Sequence, residues 1–457
     1  MKPLFENSSE GLDLSQDKGR WLILALLFLT TFGSLFAYDT VGVLQDSIAS
    51  NLKISEFGLS ILENIAVIPN IILPLLSGFI IDRYGIRLTF LVFTILVASG
   101  QLLICLGISH LSLPLLLLGR FIFGLGYHSQ YVAKSVLISR WADKSEMSFA
   151  LSLSLFLSKL GTEFNVLASP SLKESSGLSS PFQLGLVLTL LQIVLVCVVN
   201  FADRKMNTNQ NPFFRYNEEM NLEDTYTFVK PFYILCVGCA LSSGIFSAFM
   251  VEGSDLLTKR FSLTKDEAKN TLNLLMAISI FTLPVFGWIA DKIEKKLYIL
   301  PIYTLLFAVA AFDLVFQPET SRFNVVKNLL FYALFYSSSS AILWACIPLV
   351  SGSNKVGIAS GVAISVVEIF LFVLPLLSNW IIALTSAVEY GYFYTHIFYG
   401  VVGIVVLGLM IWVIIEDRRI DNFLNSRAKE EKRIPRNLEL SAKEKFMKFE
   451  NEDTLTI

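Results

Sequence analysis

The chain is built from long apolar blocks separated by short polar stretches. The blocks run at 21–38, 58–80, 88–108, 112–139, 147–170 and 181–201, then again at 230–251, 269–290, 297–316, 328–350, 357–384 and 391–415. Each is close to the roughly 20 residues that an α-helix needs to cross a bilayer core. A longer polar stretch at 202–229, with the breaker Asn211-Pro212, divides them into two sets of six. The pattern predicts an all-α polytopic membrane protein of twelve transmembrane helices in two six-helix pseudo-repeats. Its expected parts are a tail at 1–20, a bundle at 21–201, a linker at 202–229, a bundle at 230–415 and a tail at 416–457.

Composition narrows the function classes. Of 457 residues, 54% are hydrophobic and 16% charged, which excludes a water-soluble enzyme and a disordered chain. A net charge of -2 gives no basic field to attract nucleic acid. The five cysteines, Cys105, Cys197, Cys236, Cys239 and Cys346, lie in apolar runs and read as small packing residues. Three histidines, with no H-E-x-x-H and no G-x-S-x-G string, leave no catalytic constellation, and neither a metal nor a cofactor is expected. Taking both termini as cytosolic collects most of the Lys and Arg of the short loops on that side, Arg140, Lys144, Arg204 and Lys205 among them. No removable signal peptide is visible, so the first span is the expected targeting signal. The one Asn-x-Ser/Thr sequon, at Asn7, then faces the cytosol, and the opposite loops carry no N-glycan acceptor.

One string occurs twice. Gly78-Phe-Ile-Ile-Asp82-Arg83, followed by Gly85 and Arg87, stands between spans two and three, and Gly287-Trp-Ile-Ala-Asp291-Lys292 stands between spans eight and nine. A tight cytosolic turn needs glycine where backbones approach, an acid to face a helix N-terminus and basic residues as anchors. Recurrence at the same loop of each half is unexplained by an ordinary charged loop. The string resembles the loop signature of the major facilitator superfamily, and Arg120-Phe-Ile-Phe-Gly124-Leu-Gly126 resembles that superfamily's R-x-x-x-G-x-G. The resemblance implies the major facilitator fold and alternating-access transport of a small solute from a midplane site between the halves. Asp82 and Asp291, with Gly78, Arg83, Arg87, Arg120 and Lys292, are the expected gating residues.

Further strings are similar to the lysosomal dipeptide transporter group of that superfamily. They are Tyr38-Asp39 with Leu44-Gln45, Pro69-Asn70 with Pro74, Ser158-Lys159-Leu160-Gly161-Thr162 with Asn165, and Trp344-Ala-Cys346-Ile-Pro348-Leu-Val350 followed by Gly357 and Gly361. The departures fall where solute should bind: His128 replaces a glutamate of the group, Lys159 an arginine and Glu368 an asparagine. The resemblance implies a dipeptide carrier in a degradative organelle and a glycosylated single-span accessory subunit. The group's acidic dileucine is absent from residues 1–20.

Charges at bilayer depth point to the same region, because ionisable side chains inside spans usually pair within the bundle or line a wet cavity. His128, Lys159, Glu163 and Glu368 lie near the middle of their spans and are the candidate solute ligands. Thr162, Asn165, Tyr131, Tyr38 and Trp344 are included as polar and aromatic neighbours. A zwitterionic dipeptide needs a cation and an anion in its site. Lys159 is expected to take its carboxylate, and Glu163 or Glu368 its amino group. The bland alternative is a private Lys159–Glu163 salt bridge at i,i+4. His128 is either a proton site or a packing residue. Lys134 is expected to snorkel to the cytosolic face, and Arg120 to bind span one or two through Asp39 or Glu63. The favoured cargo is a cationic or small neutral dipeptide. An amino acid or organic anion, proton-coupled or not, is the rival cargo, and a non-transporting scaffold is the rival class.

Overall fold

A bilayer offers no hydrogen-bond partners, so a spanning segment must satisfy its backbone internally as helix. The computed structural model describes residues 17–206, 228–293, 295–317, 322–351, 355–385, 391–419 and 424–425, and the apolar blocks are helical apart from one break in each of the first two. Span one is broken into Asp17–Leu29 and Phe32–Val43, and span two into Glu56–Asn64 and Val67–Tyr84. Spans three to six are Ile86–Ser109, Leu113–Trp141, Met147–Ser176 and Ser179–Met206. Spans seven to twelve are Lys230–Phe261, Lys265–Lys292, Ile299–Phe316, Arg322–Ser351, Val356–Thr385 and Gly391–Arg419. Among the described residues, ten spans are apolar and long enough to cross a membrane. Spans four and five fall outside that set, and they carry the polar faces described below. The expected terminal tails, the Asn7 sequon and nearly all of the 202–229 linker lie outside the described residues.

The apolar core follows the two sets of six. One buried cluster draws its members from 228–424. A second is centred on 23–199 and reaches across to Ala345, Val356 and Ile364, and a third lies wholly within 37–182. The two sets touch chiefly where spans two, four and five meet spans eight, ten and eleven.

Small residues allow that approach. Gly361 lies so close to the Pro74 carbonyl that a side chain there would collide with it, and one at Gly287 would collide with the Ser152 hydroxyl. Two carboxylates complete the junction. The Gly357 and Ile358 N–H groups, in the first turn of span eleven, donate to Asp82 at 3.2 and 2.8 Å. The Ser148 and Phe149 N–H groups, in the first turn of span five, donate to Asp291 at 3.1 and 2.7 Å. Each repeated aspartate thus caps a helix of the other set, using donors that a helix start leaves unpaired.

Arg120 differs from expectation. Its guanidinium donates to the backbone carbonyls of Tyr38, Leu62 and Glu63 at 3.0, 3.4 and 3.3 Å, not to the Asp39 or Glu63 carboxylates. The break in span two after Asn64 frees carbonyls of the preceding turn, and the buried fork of Arg120 supplies their donors. It also lies over the Tyr38 ring, 4.7 Å from its centroid.

Replacing this bracket, Arg120→Met, should lower the melting point of the detergent-purified protein, with a loss of about 3 kcal/mol for buried bonds to a charged donor. The exposed Arg83, stacked on Phe79 and Tyr84, should lose about 0.5 kcal/mol or less as Arg83→Met. Equal losses in differential scanning fluorimetry would contradict the bracket.

Candidate functional site

A cavity of about 350 Å³ lies between the two sets of spans. Span four contributes His128, Tyr131 and Lys134, span five Lys159 and span eleven Glu368. Positions 128, 131, 134–135 and 138 follow the i, i+3, i+4 spacing of one helix face, so the polar residues of span four converge on one side. Spans seven and ten add Ser243, Phe246, Ser247 and Tyr336, and Trp344 closes a wall. The lining is mostly apolar with a few polar groups, as small-solute sites commonly are.

Two contacts in the cavity cross between the sets. His128 Nε2 stands 3.3 Å from Glu368 Oε1, joining spans four and eleven. The Lys159 ammonium lies over the Tyr336 ring, 5.6 Å from its centroid, joining spans five and ten. Tyr336 is in turn stacked on Phe246 at 4.2 Å. Lys159 and Glu163 form no ion pair despite their i,i+4 spacing, since Lys159 turns toward Tyr336. The private salt bridge is therefore not the arrangement present.

Of the expected ligands, His128, Lys159, Glu368, Tyr131 and Trp344 line the cavity, whereas Tyr38, Thr162, Glu163 and Asn165 stand outside its wall. The polar groups of Thr162 and Asn165 are committed elsewhere. Thr162 donates to Asp39 at 2.6 Å, and Asn165 donates to the Phe36 carbonyl at 2.9 Å while accepting from Ser169. Tyr38 is stacked on Tyr127 at 4.4 Å with Arg120 on its other flank, and Tyr127 meets His128 edge-on at 4.6 Å. Tyr38 thus supports the ring column that fixes His128. Asn165 and Thr162 fasten span five to span one.

The gating candidates divide likewise. Gly78, Asp82 and Asp291 lie at the junction, with Gly78 against the Gly357 backbone. Arg87 turns inward to Asp203 of span six, at 2.7 Å, and braces one set alone. Arg83 is exposed on its aromatic neighbours, and Lys292 ends span eight.

Lys134 is the clearest departure from the sequence reading. It does not snorkel: the residue is 3% exposed, and its ammonium donates to Thr31 at 2.5 Å and Ser158 at 2.7 Å. Its helix face points to the bundle interior, so its reach cannot carry it to the membrane surface. The spacing from His128 and Tyr131 was the available signal. Tyr336 and the span-seven serines carried none, being ordinary residues in an apolar run.

The cavity thus has a lysine from one set of spans and a glutamate from the other on its wall. Among the described residues no cluster of three or more His, Cys, Asp or Glu is placed to hold a metal ion.

Comparison with known proteins gives the arrangement a family. The sequence matches the Major Facilitator Superfamily over residues 27–370. It is 24% identical over 402 residues to the lysosomal dipeptide transporter MFSD1 of Homo sapiens, covering 85% of this chain and 84% of that one. The Mus musculus protein of the same name is also 24% identical, covering 92% of each. Among solved structures, the Major Facilitator Superfamily transporter FucP in the outward conformation superposes with a TM-score of 0.68 at 13% identity, over 86% of this chain and 99% of that one. The protein is a multi-pass membrane transporter, not an enzyme, and it belongs to the Major Facilitator Superfamily.

Proposed function

We propose that this protein carries dipeptides out of a lysosome-like compartment by alternating access, with both termini in the cytosol. The observation that carries the reading is the placement of Lys159 and Glu368, opposite in charge, on opposite sets of spans around one cavity. A zwitterionic peptide bridging them joins the halves through its own termini: its carboxylate accepts from Lys159 and its ammonium donates to Glu368, displacing His128. The apolar wall and its serine hydroxyls leave room for side chains and the central amide. Similarity to transporters named for lysosomal dipeptides supports the cargo and the compartment.

In this reading Asp82 and Asp291 are cytosolic latches. The described contacts between the sets gather at their end of the bundle, so the conformation is closed toward the cytosol. Release then requires both caps to open while the far ends approach, a two-state change whose balance the carboxylates set. A glycosylated single-span partner covering the lumenal loops belongs to the same proposal. Of the rival cargoes, an organic anion would need only the lysine, and a free amino acid carries both charges on a single carbon with no amide between them.

The test is a thermal-shift screen of the full-length protein against dipeptides, amino acids and organic anions. A ligand at a hundredfold its dissociation constant stabilises by about 2.7 kcal/mol. Dipeptides should raise the melting point of the wild type and lose that effect in Lys159→Ala and in Glu368→Ala. Proteoliposomes should exchange the same dipeptides. A response to free amino acids alone, or one indifferent to both substitutions, contradicts the proposal.

A further inference from the structure

The charges that line the cavity do not balance. Lys134 and Lys159 bring two ammonium groups and Glu368 one carboxylate, which is already faced by His128. Lys159 has the carboxylates of Asp39 and Glu163 acting on it through space. Lys134 has none: among the described residues its polar partners are the hydroxyls of Thr31 and Ser158, with the Tyr131 ring 5.3 Å away. Hydroxyls satisfy two of its three donors and leave its charge uncompensated. In a poorly solvated interior an unneutralised ammonium is unfavourable by several kcal/mol, so a resident cation on a cavity wall favours a solute that brings the missing negative charge.

Geometry makes the solute able to reach it. Lys134 is six residues beyond His128 on the same face, about 9 Å along the axis of span four. Its bond to Ser158 places its ammonium beside the residue that precedes Lys159. The two lysines therefore reach the cavity wall from spans four and five, while Glu368 comes to it from span eleven of the other set. A solute whose ammonium meets Glu368 has two places for carboxylates, not one.

We propose that Lys134 is a second anion subsite, which takes the acidic side chain of a dipeptide whose terminal carboxylate is held at Lys159, and that the favoured solutes carry a net negative charge. This rests on the dipeptide reading for its cargo and reverses the preference for cationic or neutral peptides expected from sequence. The tie to Thr31 and Ser158 at the break in span one holds the ammonium in place before the solute arrives. Both hydroxyls stay bonded to each other, at 2.6 Å, when the third donor turns to the cavity.

The test uses a matched pair that differs in charge but hardly in shape, alanyl-glutamate and alanyl-glutamine. Their affinities for the full-length protein in nanodiscs are measured by calorimetry. The wild type should bind the acidic peptide at least about tenfold more tightly, a difference of about 1.4 kcal/mol. That ratio should collapse to about twofold or less in Lys134→Gln and persist in Lys134→Arg, which keeps the charge. A wild-type ratio near one overturns the subsite whatever the variants do. A ratio that survives Lys134→Gln overturns it too, and leaves Lys134 as a structural tie that moves only the melting point. If neither peptide binds, the dipeptide reading fails, and glutarate against its monoamide decides the subsite alone. Glutarate binding that is lost in Lys134→Gln keeps it, and no glutarate preference removes it.

Discussion

The structure depends on two carboxylates that find their partners in backbone amides of the opposite set of helices. Asp82 and Asp291 each accept a pair of N–H groups from the first turn of a long span. Those donors exist wherever a helix starts and need no particular side chain. The chain therefore needs only the aspartate, at the right distance from a glycine that lets the helices meet. Gly78 lies on the Gly357 backbone, one turn from Asp82, and Gly287 lies on Ser148 and Ser152, one turn from Asp291. Both junctions thus use one solution, which is why the string appears twice in the sequence.

The cavity is the consequence of holding two sets of spans together at one end. Its wall is apolar, so each charge on it is expensive unless matched. Within the N-terminal set a polar lattice satisfies hydrogen-bond donors without matching the Lys134 charge: Gln192 donates to Gln130, Gln130 to Ser34, and Lys134 to Thr31 and Ser158. The contacts that cross the cavity are fewer: His128 with Glu368 at 3.3 Å, and Lys159 with Tyr336. Strong bonds within a set and exchangeable ones across it suit a site where solute must replace the protein's own contacts.

The fold was legible because its signals are additive. Block lengths of about twenty residues, the midpoint interruption and the paired Asp82 and Asp291 strings all point to one architecture. Depth was legible as well, since counting residues along a helix places His128, Lys159 and Glu368 at mid-span. Facing was not. Thr162 and Glu163, within about a turn of Lys159, and Asn165, about 9 Å further along span five, stand outside the cavity wall, a matter of helix rotation that neighbouring side chains decide. Arg120 was traced to spans one and two but matched to acids, because the carbonyls it binds come from a helix break that no residue type announces. Lys134 was misread because a long aliphatic stem suits both a snorkelling residue and a buried one, and only the residues around its head separate them.

The central claim is that the two aspartate caps hold one end of the bundle shut. It is tested most directly by electron–electron distance measurements between spin labels, with the exposed native Cys197 removed. One pair sits at exposed Tyr84 and Ile293, beside the caps, and a second at exposed Ser176 and Lys265, at the far end. Replacing both carboxylates, Asp82→Ala with Asp291→Ala, should move the population to longer distances for the first pair and shorter distances for the second. Distributions that stay where the wild type has them, at both ends, would show that something other than these caps keeps the halves together.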